Sequence, residues 1–201
     1  MTRIFLVRHG QTLWNLSLKY QGHADVELSA LGIKQAELLG RRLKEYDIKA
    51  VYSSDLKRAI HTSQMIAKEH HLTPNIIPEF KEISFGKWEG MTYNEIEQKW
   101  PGKFHQLMLD AESVCIPNGE SFQDVQTRAM KALSRIIKKH VDHNIVIVSH
   151  GATIRTILAA ALNMPVKYCW HIRQDNTALN IIDYYDDKAI VSLMNDTCHL
   201  E

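Results

Sequence analysis

Two short runs of uninterrupted apolar residues stand out: Ile4-Phe5-Leu6-Val7 near the start and Ile145-Val146-Ile147-Val148 far downstream. Each is four residues long and bounded by polar positions, the pattern of a strand buried on both faces of a parallel sheet. Between and after them the pattern predicts further elements. Ser29 is a plausible N-cap for a helix reaching about Tyr46, with Leu31, Ala36, Leu39 and Leu43 near helical spacing. Residues 50–53 read as a short strand, and Ser53-Ser54-Asp55 as the turn and cap of a helix over 56–70 whose core face would be Ile60, Met65 and Ile66. A third strand is expected over 75–78, a loop with two carboxylates over 80–93, and two short helical pieces split by Pro101-Gly102. A strongly amphipathic helix is expected over 120–141, a strand over 144–149, a helix over 152–162, and two closing strands near 178–183 and 189–194. Strands alternating with helices predict an α/β fold: a mainly parallel sheet with helices on both faces, a three-layer αβα sandwich.

Length and composition narrow the class without changing that picture. At 201 residues the chain suits one domain with an insertion, and nothing resembles a repeat, linker or low-complexity tract. Lys plus Arg number 24 against 23 Asp plus Glu, so there is no basic excess to grip nucleic acid or an anionic membrane, and neither partner is expected. Cys115, Cys169 and Cys198 are odd in number and widely spaced, which fits reduced thiols in a cytoplasmic protein better than disulfides or a metal site. The first strand leaves no room for a secretory leader. The longest apolar stretch, 154–162, is too short to span a bilayer and contains Arg155.

The chemistry gathers at strand ends. The first run stops at Arg8-His9-Gly10 and the second at Ser149-His150-Gly151. In a parallel sheet both carboxyl ends open on the same edge, where such sheets place their ligands. If the two strands are neighbours, the histidines converge. Arg8 offers a fork of donors suited to phosphate or carboxylate, His9 a nucleophile or base, and Gly10 a sharp turn with close approach to a ligand. Arg58, in the first turn after the strand at 50–53, adds a second guanidinium at the same rim. Glu82, in the following loop, adds a carboxyl. Two Arg, two His and a Glu make a pocket for a dianion with acid–base chemistry beside it. Taken alone, Arg58 would read as a surface helix arginine, and Glu82 competes with Glu79, Glu89 and Glu95 nearby. The other nine histidines read as surface or satisfied interior residues, and His140 with His143 lacks a third ligand for zinc.

In this order the chain carries R-H-G-x-T-x-x-N at 8–15, Gln21-Gly22, S-S-D-L-x-R-A at 53–59, G-x-W-E-G at 86–90, G-E-S at 119–121 and S-H-G at 149–151. This series resembles the histidine phosphatase superfamily, in the branch similar to cofactor-dependent phosphoglycerate mutase, over nearly the whole chain. The resemblance implies a phosphoglycerate mutase-like fold in a single domain over 1–201, with a small cap-like insertion at about 80–118. It also implies roles. His9 would accept the phosphoryl group as a phosphohistidine; Arg8, Arg58 and His150 would bind the phosphoryl oxygens. Asn15, Gln21, Gly22 and Gly151 would complete the substrate pocket, and Glu82 would protonate the leaving oxygen and then activate water. No metal or cofactor is called for. The position of His61, one turn beyond Arg58, often holds Gln in relatives, so His61 is expected to touch the pocket.

Hydrolase and mutase share this chemistry and differ in whether water or a hydroxyl reaches the phosphohistidine. Mutases of this branch carry a longer, more basic insertion. Here the only cations between Glu82 and Glu120 are Lys87, Lys99 and Lys103, so the expected activity is a phosphomonoesterase acting on a small phosphorylated metabolite. A mutase is the second reading, and a catalytically silent scaffold of the same fold the third. A homodimer is the commonest assembly for such an enzyme.

Overall fold

The computed structural model describes residues 1–186 and 188–201. Its sheet has six strands: β1 (Thr2–Arg8), β2 (Ile48–Ser53), β3 (Asn75–Ile76), β4 (Asn144–Ser149), β5 (Leu179–Tyr184) and β6 (Ala189–Asp196), in the order β3-β2-β4-β1-β5-β6. The pairs β2–β3, β2–β4 and β4–β1 are parallel, while β5 runs antiparallel to both its neighbours. Thus the two apolar runs are adjacent, in a register that sets Val7 beside Val148 and Arg8 beside Ser149.

Alternation along these strands sends side chains to two cores. Ile4, Leu6, Ile145 and Ile147 pack toward α6 (Phe122–Lys139) and α7 (Gly151–Ala161); Phe5, Val7, Val146 and Val148 pack toward α2 (Ala30–Leu43) and α3 (Lys57–Glu69). Runs that are apolar at every position are therefore required, because both faces are covered. From the stretch 80–116, Phe80, Ile83, Trp88, Ile96, Phe104 and Leu107 pack into the α6/α7 core. This stretch includes the short helices α4 (Tyr93–Lys99) and α5 (Lys103–Leu109), and a single-turn helix, α1 (Leu13–Leu16), follows β1.

Caps explain several boundaries. Ser29 accepts a hydrogen bond from the Gly32 amide at the start of α2, and Ser121 forms a reciprocal box with Asp124 at the start of α6. The start of α3 departs from expectation: its N-cap is Leu56, which has no side-chain oxygen, and the Lys57 amide is satisfied by Asp25 from the distant loop before α2. The buried face of α3 also differs. Ala59, Thr62, Ser63, Ile66 and Ala67 are buried whereas Ile60 and Met65 are only half-buried, because small residues are needed where α2 packs closely, with the Met65 carbonyl against Gly40. Leu31 is exposed; it sits in the first turn of α2, beyond the sheet. The third strand shrinks to two residues, both exposed.

Candidate active site

The β1–β4 register decides the site. His9 follows the last residue of β1, His150 the last of β4, and the His9 amide donates to the Ser149 carbonyl at 3.0 Å. The two rings lie with centroids 5.1 Å apart and planes tilted by 55°. Both are buried.

Each ring's tautomer follows from its partners. Nδ1 of His9 lies 2.7 Å from the Gly10 carbonyl, which can only accept, so Nδ1 carries the proton and Nε2 keeps its lone pair. Nδ1 of His150 receives the Arg58 Nε–H at 3.2 Å; its Nε2–H therefore donates to Ser54 Oγ at 2.6 Å. Burial, then Arg58 and Arg8, holds the His9 pKa well below the ordinary histidine range. Burial and Arg58 do the same for His150. Both are neutral at pH 7.

The arginines are placed with equal definition. Arg58 has no exposed surface; its Nη1 and Nη2 donate to the Ala24 and Gly22 carbonyls at 2.7 Å each. Arg8 Nη1 donates to the Gln174 carbonyl at 2.6 Å, while its buried Nε has no partner. Burial lowers the pKa of each to about 10, and both remain cations at neutral pH.

Glu82 arrives from the loop before Gly86. Its carboxylate accepts from the amides of Ile83, Ala152 and Thr153 at 3.0 to 3.2 Å and so closes the open start of α7, which has no side-chain cap of its own. The other expected residues fall into place around these. Asn15 Oδ1 is held by the Thr12 amide and hydroxyl, Gln21 is buried with its Oε1 unpartnered, and Gly22 turns its carbonyl to Arg58. A Cβ on Gly151 would lie 3.0 Å from Arg155 Nη1, which would have to give by a few tenths of an ångström, and in ordinary contact, 3.5 Å, with Arg8 Nε, so the glycine lets the two guanidinium groups approach closely. Gly10 is needed for a different reason than a ligand's approach: a Cβ there would come within 2.4 Å of the Gly32 carbonyl at the start of α2.

One cavity of about 260 Å³ is lined by Arg8, His9, Asn15, Gln21, Gly22, Arg58, Glu82 and Gly151. Its mouth and walls add Trp14, Lys19, Phe85, Arg155 and Trp170. His150 stands behind this lining, against His9 and Arg58. Asp183, a carboxylate on β5, stays outside the cavity and pairs with Arg3 at 2.6 Å. His61 lines a separate cleft with Glu27, Leu28, Ile33 and Lys57 instead of this pocket, since it points away from the strand ends. Met108 is an exposed residue of α5, whereas Trp88 and Phe104 are core.

Three residues that frame the site were not singled out from sequence. Ser54 orients His150. Arg128, in mid-α6, donates to the carbonyls of Glu79, Lys81 and Glu82 and to Glu120, fixing the loop that carries Glu82. Arg155 brings a third guanidinium to the cavity; four residues after Gly151, it lies one helical turn from the strand end, which was the available signal.

Comparisons with known proteins bear on the chain as a whole. The family model of the histidine phosphatase superfamily (branch 1) matches residues 4–197. Phosphoserine phosphatase 1 of Hydrogenobacter thermophilus is 33% identical, covering 100% of this chain and 95% of that one. Phosphoglycerate mutase-like protein 4 of Arabidopsis thaliana is 38% identical over 98% of this chain and 86% of its own. The solved structure of Bacillus stearothermophilus YhfR superposes with a TM-score of 0.95 at 31% identity, covering both chains fully. The chain belongs to the histidine phosphatase superfamily. Within it, this is a phosphatase, a hydrolase on a phosphoglycerate mutase-like fold. No helix among the described residues is long and apolar enough to cross a membrane.

Proposed function

We propose that the protein is a metal-independent phosphomonoesterase that works through a phosphohistidine on His9. The observation that carries this reading is the His9 tautomer: a neutral imidazole whose free lone pair, on Nε2, lies in a cavity lined by guanidinium groups. In the first step the His9 Nε2–phosphorus bond forms and the ester P–O bond breaks, and Glu82 in its acid form gives its proton to the leaving oxygen. In the second, the Glu82 carboxylate takes a proton from water, the water oxygen bonds to phosphorus, the N–P bond breaks and inorganic phosphate departs. Arg8 and Arg58 would hold the equatorial oxygens, with positioning and fixed charge supplying most of the catalysis. His150, whose Nδ1 accepts the Arg58 Nε–H and whose Nε2–H is taken up by Ser54, would position Arg58 for the phosphoryl group instead of donating to an oxygen itself. Asn15, Gln21, Gly22 and Gly151 would shape the walls.

The substrate is a small phosphorylated molecule, in keeping with the cavity's size; phosphoserine is the first to try, given the relative that carries that name. Nucleic acid and membranes are not partners in this reading. A reducing, cytoplasmic setting suits Cys115, Cys169 and Cys198, all free thiols. A homodimer is the assembly to look for by sedimentation.

Hydrolysis of p-nitrophenyl phosphate tests the reaction. Turnover should be unaffected by EDTA and fall by on the order of a thousandfold or more in His9→Ala. Rapid quench should trap an acid-labile phosphoenzyme in the unmodified protein only. Absence of turnover on every phosphomonoester would favour the scaffold reading instead. The mutase reading, favoured by the Arabidopsis relative's name, would gain if 3-phosphoglycerate became 2-phosphoglycerate faster than phosphate was released.

A further inference from the structure

The proposed hydrolysis uses Arg8, Arg58, His9, His150 and Glu82 and leaves Arg155 without a task. This arginine is largely buried, yet it is not consumed by the fold. Its Nε donates to the Ile172 carbonyl at 2.7 Å and its guanidinium stacks 5.0 Å from the Trp170 ring centre, two contacts that fix the plane. Nη1 and Nη2 have no hydrogen-bond partner among the described residues, and no carboxylate pairs with the group there. It faces Arg8 across Gly151, a juxtaposition of like charges that raises the cost of burying both.

Charge counting shows the excess. Four cations line the cavity (Arg8, Arg58, Arg155 and Lys19) against one carboxyl group, Glu82, which the proposed first step needs in its acid form. A phosphoryl dianion offsets two of the four, so positive charge is left over for a further anionic group on the substrate. A pinned, planar guanidinium with two free parallel N–H groups matches the two oxygens of a carboxylate.

We propose that Arg155, assisted by Lys19 at the mouth, is a carboxylate-binding subsite, so that the protein selects small phosphomonoesters carrying a carboxylate beside the ester. This rests on the phosphatase reading of the same cavity. Arg155 is then a specificity-determining residue that touches the leaving group, and the loss of a charged hydrogen-bond pair sets the scale of its effect.

O-phosphoserine and O-phosphoethanolamine differ only by the carboxylate, and the ratio of their kcat/KM values isolates it. The unmodified protein should prefer phosphoserine by roughly 10- to 100-fold, and Arg155→Gln should collapse that ratio toward one, chiefly through the KM for phosphoserine. Arg155→Lys, which keeps the charge and loses the fork, should fall between. A wild-type ratio near one, or a ratio unchanged in Arg155→Gln while both substrates slow equally, would overturn the subsite and make Arg155 a phosphoryl ligand. Failure of the wild type on both substrates and on p-nitrophenyl phosphate would instead overturn the hydrolase reading itself. A circular-dichroism melt of Arg155→Gln, together with its remaining turnover of phosphoethanolamine, separates a specificity change from misfolding.

Discussion

At the scale of single residues, neutrality of the buried imidazoles is what the site depends on. His9 and His150 hold depressed pKa values in the folded state, whereas the unfolded chain protonates near 6.5. As pH falls below about 6.5 the unfolded state takes up protons that the folded state refuses, so stability is complete above that pH and is lost on acidification. Urea unfolding should therefore show a free energy that declines below pH 6.5, with a shallower slope in His9→Ala; an identical slope would mean that His9 is not neutral in the fold. Nitrogen chemical shifts of the His9 ring should show Nδ1 protonated and Nε2 bare down to at least pH 6. Gly151 illustrates a constraint visible only in space: Gly151→Ala must push the Arg155 guanidinium back by a few tenths of an ångström, and kcat/KM should drop by up to about tenfold with little change in thermal midpoint.

At the scale of elements, two helices that point at the cavity have starts closed by remote carboxylates. The Lys57 amide of α3 is met by Asp25, and the Ala152 and Thr153 amides of α7 by Glu82. Glu82 thus has a structural duty and a proposed chemical one, and its loop needs support. Arg128 gives that support through its bonds to three loop carbonyls and to Glu120. Burial pushes the Glu120 carboxyl up, but its bonds with His23 and Arg128 prevail and bring it to about 2, so it is ionised at every working pH. Arg128→Met should lower kcat by roughly 10- to 100-fold, with KM for substrate nearly constant and a displaced pH profile for the proton-donor step. A loss confined to stability, with kcat intact, would make Arg128 purely structural. Helix capping at Ser29 is a simpler case: Ser29→Ala should cost about 1 kcal/mol on denaturant unfolding, without a pH signature.

At the scale of the whole molecule, one sheet with two covered faces holds everything in register. Phe5 and Val7 on one side, Ile4 and Leu6 on the other, make β1 a fully buried strand between β4 and β5. Phe5→Ala should destabilise by about 3–5 kcal/mol in equilibrium unfolding, and a cost under about 1 kcal/mol would contradict its burial.

Because a strand covered on both faces must be apolar at every position, local pattern alone revealed β1 and β4 and the histidines at their ends. The motif series around Arg8, Arg58 and Glu82 was legible through its resemblance to the histidine phosphatase superfamily; local pattern alone left Arg58 a surface helix arginine and Glu82 one of four neighbouring glutamates. Contacts between distant segments were not encoded in any window of the chain. The antiparallel entry of β5, the hold of Arg128 on the Glu82 loop, and Arg155 meeting Arg8 across Gly151 all depend on long-range packing. A side chain's neighbours across an α/β sandwich are set by how helices settle on the sheet, and sequence spacing carries no trace of that until the cores have closed.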